Sequence, residues 1–256
     1  RPGEVDQVVA MGLEVWLEQQ LAASLPDPVV EQRLEGYRTL SMSASELKDT
    51  YPIFFRIRRQ AERAGVVSGD TQFRPGSAGS SPRTPGQGRP GGANREQMRK
   101  LFDFAESRGY RPLPELMDEL TGQKLYRALH SENQLREVLT DFWFNHFNVY
   151  ARKNRNTLLT LPSYERDAIR PHALGRFEEL LTATAEHPAM LFYLDNWVNT
   201  KEGFDPREAL RAQLGRRGGR GRRAMRDEDE RTLRISGINE NYARELMELH
   251  TLGVDG

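Results

Sequence analysis

The sequence predicts an all-α protein, and two observations support this. Apolar residues recur at the helical period of 3.6 through most of the chain, whereas the alternating β-branched runs typical of strands are scarce. Gly12, Pro26 and Pro28 interrupt the periodic segments between helices. We expect one multi-helical domain over residues 1–256, with two disordered low-complexity insertions at 67–94 and 203–234.

The N-terminal quarter is predicted to form four amphipathic helices. The first, Glu4–Met11, should stop at Gly12, because glycine favours a helix end. The second should place Leu13, Trp16, Leu17 and Leu21 on one side. These four helices are expected at residues 4–11, 13–21, 30–40 and 45–63.

The first insertion, 67–94, is rich in Gly, Ser, Pro and Arg and has almost nothing that a core could bury. We interpret it as a variable surface insertion rather than a partner-binding tail. The second insertion, 203–234, contains an arginine-glycine run at 215–223 and an acidic run at 227–230. No aromatic residue is interleaved with the arginines to stack on bases, so a solvated loop is favoured over RNA binding through Arg216–Arg223.

Helical periods resume after the first insertion. Ser131 and Gln134 have the spacing of a capping box, which predicts that a helix opens at Ser131. This helix carries a broad apolar face that includes Trp143, His146 and Phe147. The other helices are expected at 95–108, 112–130, 162–169, 174–185 and 188–197.

Bulk composition excludes some classes of function. The 37 basic and 37 acidic residues cancel, so no overall field favours nucleic acid or an anionic membrane. Cysteine is absent, which excludes disulfides, thiolate catalysis and Cys-ligated zinc. No apolar run is long enough to span a bilayer, and no signal peptide is visible. The chain begins at Arg1 and ends just after a helix, so we interpret it as a fragment lacking a C-terminal part.

The terminal helix carries unusual chemistry for an amphipathic helix. Ala243, Leu246, Met247 and His250 share a face at spacings i, i+3, i+4 and i+7, while Glu245 and Glu248 lie beside them. Burying such groups is costly unless they are paired or used. Glu240 and its neighbours Asn239 and Asn241 have an alternative interpretation without any site: they could form the start of an ordinary helix, where Asn caps and an acidic residue favours the dipole.

A metal site would need ligands from separate helices, because no two of the five histidines have the His-x3-His spacing. The candidate ligands are His146, His250 and Glu248, and Glu240, Glu245 and Asp195 are the candidate catalytic carboxylates. Such a set without thiolate would suit iron, manganese or zinc. Each histidine also has an interpretation without a metal. His146 could be a core histidine that is hydrogen-bonded to Asn145 or Asn148, and His250 could be a residue at a helix C-terminus that interacts with the helix dipole.

Four long motifs resemble those of the bacterial domain-of-unknown-function family 1800 (DUF1800), and the start of the chain, 1–21, is similar to that family as well. The motifs are Asp-Phe-Trp-Phe-Asn-His-Phe-Asn-Val at 141–149, Tyr-Glu-Arg-Asp-Ala-Ile-Arg-Pro-His-Ala-Leu-Gly at 164–175, the segment 187–196 that begins His-Pro-Ala-Met-Leu, and 239–256.

The resemblance implies a mainly helical protein with no established reaction. It also implies a periplasmic or secreted protein whose gene neighbours that of a second exported protein, which would be a candidate partner. Two function classes therefore stay open: an exported metal-dependent or acid–base enzyme with a His/Glu site between helices, and a non-catalytic interaction or assembly protein of the cell envelope. In the second class, the same polar residues form a buried hydrogen-bond network that specifies helix packing.

Overall fold

The computed structural model describes residues 3–67, 92–199 and 239–253. Every regular element in these ranges is helical and none is a strand, so the all-α prediction is confirmed. The two predicted insertions, 67–94 and 203–234, lie almost wholly outside the described residues. The first helix after 67–94 begins at Gly92, slightly before the predicted start at residue 95.

The α-helices, numbered over the described residues, are α1 Glu4–Met11, α2 Leu13–Ala22, α3 Pro28–Leu34, α4 Ala44–Thr50, α5 Phe54–Arg63, α6 Gly92–Ser107, α7 Leu113–His130, α8 Gln134–His146, α9 Arg155–Ser163, α10 Phe177–Glu186, α11 Pro188–Tyr193 and α12 Glu240–Met247. Two π-helical segments follow α9 and α12 directly, at Tyr164–Ile169 and Glu248–Leu252. Short 3₁₀ turns lie at Arg38–Leu40, Arg170–His172 and Asn196–Val198.

Glycine and proline set several helix ends. Gly12 separates α1 from α2 with φ of 94°, which favours glycine. Pro28 and Pro188 lie in the first turn of α3 and α11, where the missing N–H costs nothing. The single helix predicted at 45–63 was wrong: α4 ends at Thr50 and α5 starts at Phe54, because Pro52 cannot continue a helix.

The predicted capping box at Ser131 was also wrong. Helix α8 begins at Gln134 with Asn133 as its N-cap. The Ser131 hydroxyl instead donates to Asp27 Oδ2 at 2.6 Å, and the Gln134 side chain donates to the Ser131 carbonyl at 2.7 Å. A distant carboxylate therefore binds the hydroxyl that the local motif would have used. A complete capping box does form at Ser43 and Glu46, at the start of α4.

The chain groups into two compact units, one formed by residues 1–40 and 123–256 and the other by residues 41–122. In the second unit, Ala61, Val67, Leu101 and Phe104 form a buried cluster between α5 and α6. The hydroxyl of Tyr110, which follows α6, donates to Gln60 Oε1 of α5 at 2.6 Å. A single domain over 1–256 stays a prediction.

In the first unit, α9 and the following π-helical segment form the central element. All residues from Thr157 to Glu165 are buried, which is unusual for a segment this polar. The polar side chains are satisfied locally: Asn154 caps α9 through Thr157 N at 2.8 Å, and Thr160 and Ser163 donate back to carbonyls of the preceding turn. Pro162 removes one hydrogen bond of the α pattern, and the helix continues with π pitch from Tyr164.

In the described ranges, none of the helices combines the length and the apolar character that crossing a membrane requires.

Candidate functional site

Helix α8 presents three rings of the first motif toward neighbouring elements. The Trp143 indole donates from Nε1 to the Ala173 carbonyl at 3.0 Å. Phe147 is completely buried, whereas His146 is exposed and stacks on Phe142 with ring centroids 6.3 Å apart. His146 Nε2 lies 3.1 Å from the His250 carbonyl oxygen. Because a carbonyl only accepts, Nε2 carries the hydrogen in this contact.

His250 lies in the π-helical segment Glu248–Leu252 and is only 5% exposed. Its ring contacts the Phe147 ring at 5.2 Å and the His146 ring at 6.4 Å, centroid to centroid. Burial, together with the nearby His146, lowers the pKa of His250 below its usual range. The ring is therefore neutral near pH 7. Its Nδ1 atom is buried and has no hydrogen-bond partner in the ranges that the structure describes.

Tyr164 and His187 join the second and third motifs. The fully buried Tyr164 hydroxyl donates to the Phe147 carbonyl at 2.9 Å, and burial raises the pKa of this tyrosine. The His187 ring lies 5.2 Å from the Tyr164 ring, and its Nδ1 accepts from Ala189 N at 3.1 Å as the N-cap of α11. Burial lowers the pKa of His187 to about 4. Both side chains are uncharged at neutral pH.

The terminal segment is held to the preceding helices by two side chains. Asn239 donates from Nδ2 to the Leu194 carbonyl at 2.8 Å, and the Tyr242 hydroxyl donates to the Ala185 carbonyl at 2.5 Å. Burial and the nearby Glu186 raise the pKa of Tyr242. The fourth motif thus contacts the segment that contains the third.

These contacts share one chemical feature. In each, a motif side chain places a polar atom on a main-chain carbonyl of another element, and we call the set the motif-to-backbone bonds. They are Trp143 to Ala173, His146 to His250, Tyr164 to Phe147, Asn239 to Leu194 and Tyr242 to Ala185.

The predicted catalytic carboxylates differ in their surroundings. Asp195 has a left-handed backbone with φ of 56°, and its half-exposed carboxylate pairs with Lys153 Nζ at 2.8 Å. Glu240 is exposed on the first turn of α12, and Glu245 and Glu248 are half-buried. Among the described residues, no group of three or more His, Asp or Glu side chains is arranged to hold a metal ion. Of the predicted ligands, the structure brings together His146 and His250, and the metal and catalytic roles stay predictions.

The predicted alternative for His146 does not match its surroundings. Asn145 donates from Nδ2 to the Asp141 carbonyl at 2.8 Å, one turn back on its own helix. The His146 nitrogen bonds the main chain of the terminal segment instead. His146 is thus an exposed histidine on the face of α8 that contacts this segment.

An ionic cluster that the sequence analysis missed lies between α7, α8 and the π-helical segment Tyr164–Ile169. The guanidinium of Arg170 donates to both Glu137 oxygens at 2.7 and 2.8 Å and to Glu165 Oε1 at 3.0 Å. Gln123 donates to the same Glu165 oxygen at 2.7 Å and accepts from Arg127 Nε at 3.0 Å. Both glutamates are buried.

Two opposing effects act on the pKa of Arg170 in this cluster. Burial by itself would lower the pKa of the guanidinium, but the charges of Glu137 and Glu165 and their hydrogen bonds outweigh it and raise the pKa. A signal for the cluster was present in the sequence. Glu165 continues an apolar helical stripe with Leu158, Leu161 and Ile169, so its carboxylate had to be buried and needed a cationic partner.

A second missed network joins the chain before α3 to the turn before α8. The Asp27 carboxylate accepts from the Ser131 hydroxyl, from Glu132 N and from Asn133 Nδ2. Burial would raise the pKa of Asp27, but these hydrogen bonds and the charge of Arg136 outweigh it and lower the pKa. The Asn133 side chain also bonds Leu25 through both its oxygen and its nitrogen.

A surface groove of about 520 Å³ lies along α10, lined in part by His172, Arg176 and Glu179. It is open to solvent, and none of the predicted site residues lines it. The groove is therefore not the place where the candidate catalytic and ligand residues of the motifs meet.

The fold and these contacts define a class: an all-α protein whose motif side chains bind the main chain of neighbouring helices around buried ionic and hydrogen-bond networks. The family model described as protein of unknown function, DUF1800, matches residues 1–256, and the chain belongs to this family. No curated protein and no solved structure has a significant match to the chain.

Proposed function

We propose that this protein is a non-catalytic interaction or assembly protein of the cell envelope. The observation that carries the proposal is the set of motif-to-backbone bonds. A catalytic acid, base or nucleophile must direct its reactive atom toward a substrate. The motif hydroxyls, indole and amide instead direct their polar atoms at carbonyl groups of the same protein, where they determine how the helices pack.

The buried charges support the same proposal. Glu137 and Glu165 both bind Arg170, and Asp27 accepts three hydrogen bonds. Buried networks of this kind specify one packing arrangement of the helices. The proposed location is the periplasm or the cell exterior, and the proposed partner is an exported protein encoded nearby, both in line with the family resemblance.

The first experiment replaces the motif hydroxyls and measures stability. We expect Tyr164→Phe and Tyr242→Phe each to lower the free energy of unfolding by about 1–2 kcal/mol, because a buried carbonyl and a part-buried one, respectively, lose their donor. The exposed Tyr150→Phe is the matched control and should change it by less than about 0.5 kcal/mol. The measurement is urea unfolding of the full chain, followed by circular dichroism. If both buried variants were as stable as the control, the proposed packing role would be wrong.

A second candidate function, a metal-dependent or acid–base enzyme, rests on a different observation. The buried His250 Nδ1 atom has no partner in the ranges that the structure describes, and the exposed His146 ring lies beside it. Two imidazoles are suitable ligands for zinc, iron or manganese, but a protein site for zinc ordinarily has three or four protein ligands.

Metal analysis tests the metal-dependent form of this second function. We expect the full chain, dialysed against zinc, manganese or iron(II) and then against buffer, to retain no stoichiometric metal, because two imidazoles alone bind it weakly. His146→Ala and His250→Ala should then have the same metal content as the wild type by plasma mass spectrometry, with the distant His130→Ala as control. The enzyme would be favoured over the proposed function if the wild type and His130→Ala each retained one equivalent of metal and His146→Ala and His250→Ala retained none.

A further inference from the structure

Helices α1 and α2 expose apolar residues at helical spacing. In α1, Val5 is 74% exposed and Val9 76%, and in α2 Leu13 is 69% exposed, Leu17 43% and Leu21 53%. The spacing of four residues places the members of each set along one side of their helix. We call these five residues the N-terminal apolar stripe. The sequence predicted that Leu13, Leu17 and Leu21 share one side of the second helix, and the structure leaves that side at the surface.

The stripe is exposed although α2 is firmly attached to α8. Gln20 is buried, donates to the Glu132 carbonyl at 2.8 Å and accepts from Leu135 N at 3.0 Å. Arg136 Nη1 donates to the Ala23 carbonyl at 3.2 Å at the end of the same helix. Polar bonds therefore hold α2 in place. Because exposed apolar residues that share one side of a firmly held helix form a continuous apolar surface, the stripe is suited to binding another molecule.

The charges beside the stripe select the kind of partner. Between residues 3 and 32 the sequence has no Lys, Arg or His, and α1 and α2 carry Glu4, Asp6, Glu14 and Glu18. A second copy that paired through the same stripe would bring like charges together, and anionic lipids or nucleic acids would be repelled. A cationic partner with an apolar face would gain from both features.

We infer that the N-terminal apolar stripe binds a basic amphipathic helix of a partner protein. The apolar side of that helix would cover Val9, Leu13 and Leu17, and its Lys or Arg side chains would lie against Glu14 and Glu18. This is the helix-on-apolar-surface mode of recognition, with anchors spaced by three and four residues. The inference rests on the proposed role as an interaction protein, and it specifies the surface and the chemistry of the partner.

The probe is a labelled synthetic helix of about 18 residues built from Leu and Lys with the period of an amphipathic helix. Its binding to the full chain is measured by fluorescence anisotropy. We expect saturable binding, and an affinity at least about tenfold weaker for the double variant Leu13→Ser and Leu17→Ser. The matched control is Leu125→Ser with Leu129→Ser, an equally spaced and exposed pair on α7, which should bind as the wild type does.

Three further comparisons test the charge argument and the need for an amphipathic helix. A peptide with Glu in place of Lys, and one with the same Leu and Lys residues in scrambled order, should not bind. The double variant Glu14→Gln and Glu18→Gln should reduce the salt dependence of the affinity, because it removes the charges that the lysines face. Circular dichroism checks that each variant keeps its helices.

Several results would overturn the inference. They are equal binding to the Leu13/Leu17 variant and the wild type, equal binding of the scrambled peptide, or self-association of the chain that the Leu13/Leu17 variant abolishes in sedimentation velocity. If the peptide does not bind but Tyr164→Phe and Tyr242→Phe still lose stability, the stripe is not the proposed binding surface, while the packing role of the motifs stands. If both tyrosine variants are as stable as the wild type and the peptide still binds, the packing role of the motifs is refuted and the binding surface stands.

Discussion

Replacing Arg170 with Met should lower the free energy of unfolding by about 3–5 kcal/mol, because two buried carboxylates lose the cation that is hydrogen-bonded to both of them. They keep only longer ion pairs, from Lys124 to Glu165 at 3.7 Å and from Arg136 to Glu137 at 3.8 Å. Arg170 binds Glu137 through both carboxylate oxygens and Glu165 through one, and the side chains of both glutamates are at most 6% exposed. For a chain of this size, such a loss corresponds to a fall in melting temperature of roughly 10 °C. Thermal and urea unfolding of the full chain measure it.

The control for this prediction is Arg176→Met. Arg176 is exposed and pairs with the exposed Glu178 at 3.4 Å, so its replacement should change stability by less than about 0.5 kcal/mol. A triple variant, Arg170→Met with Glu137→Gln and Glu165→Gln, should recover part of the loss, because the penalty comes from unpaired charge rather than from lost packing. Equal stability of Arg170→Met and Arg176→Met would show that the ionic cluster does not hold the helices together.

Replacing Asp27 with Ala should cost about 2–4 kcal/mol, because the Ser131 hydroxyl, the Glu132 N–H and the Asn133 amide lose a common acceptor. The expected loss is largest above about pH 4. The folded protein lowers the pKa of Asp27 below its ordinary value of 3.8, so the ionised carboxylate is favoured in the folded state. Its contribution is therefore complete above 3.8 and disappears as the pH falls through the lowered pKa.

Urea unfolding of the wild type and Asp27→Ala from pH 7 down to pH 2 tests this dependence. The difference between the two proteins should be constant down to about pH 4 and should shrink below it. Asp49→Ala is the control, since that carboxylate is 68% exposed and pairs with Arg56 at the surface. A difference that grew as the pH fell would contradict the assigned role of the Asp27 carboxylate.

Local rules predicted most of the helices. Glycine at Gly12 and proline at Pro28 and Pro188 act on the residues next to them, so their effects are visible without a tertiary structure. The break at Pro52 follows from the same rule. It was missed because the apolar residues on both sides of Pro52 have helical spacing. The π-helical segments could not be predicted, since over five or six residues an α and a π pattern of side chains are indistinguishable.

The candidate site was predicted less well than the fold. The motifs at 141–149 and 239–256 do meet, through His146 and His250, but the described residues form no group of three or more His, Asp or Glu side chains that could hold a metal. Spacing along one helix shows which side chains share a face, and it carries no information about which faces meet. Asp195 illustrates this: its partner is Lys153, 42 residues earlier in the chain, rather than a residue of the terminal segment.

The sequence by itself determined the helical class, the limits of α1, α2 and α7 to within one residue, and the family, because each depends on neighbouring residues or on long contiguous motifs. Other limits were wrong: the helix predicted at 162–169 begins at Arg155 and ends at Ser163 as α9. The tertiary structure decided which polar side chains are buried together. Arg170 and Glu137 are 33 residues apart, and Asp27 and Ser131 are 104 apart, so only the packing of the helices brings them into contact. It also decided that polar bonds from Gln20 orient α2, which leaves Leu13, Leu17 and Leu21 at the surface.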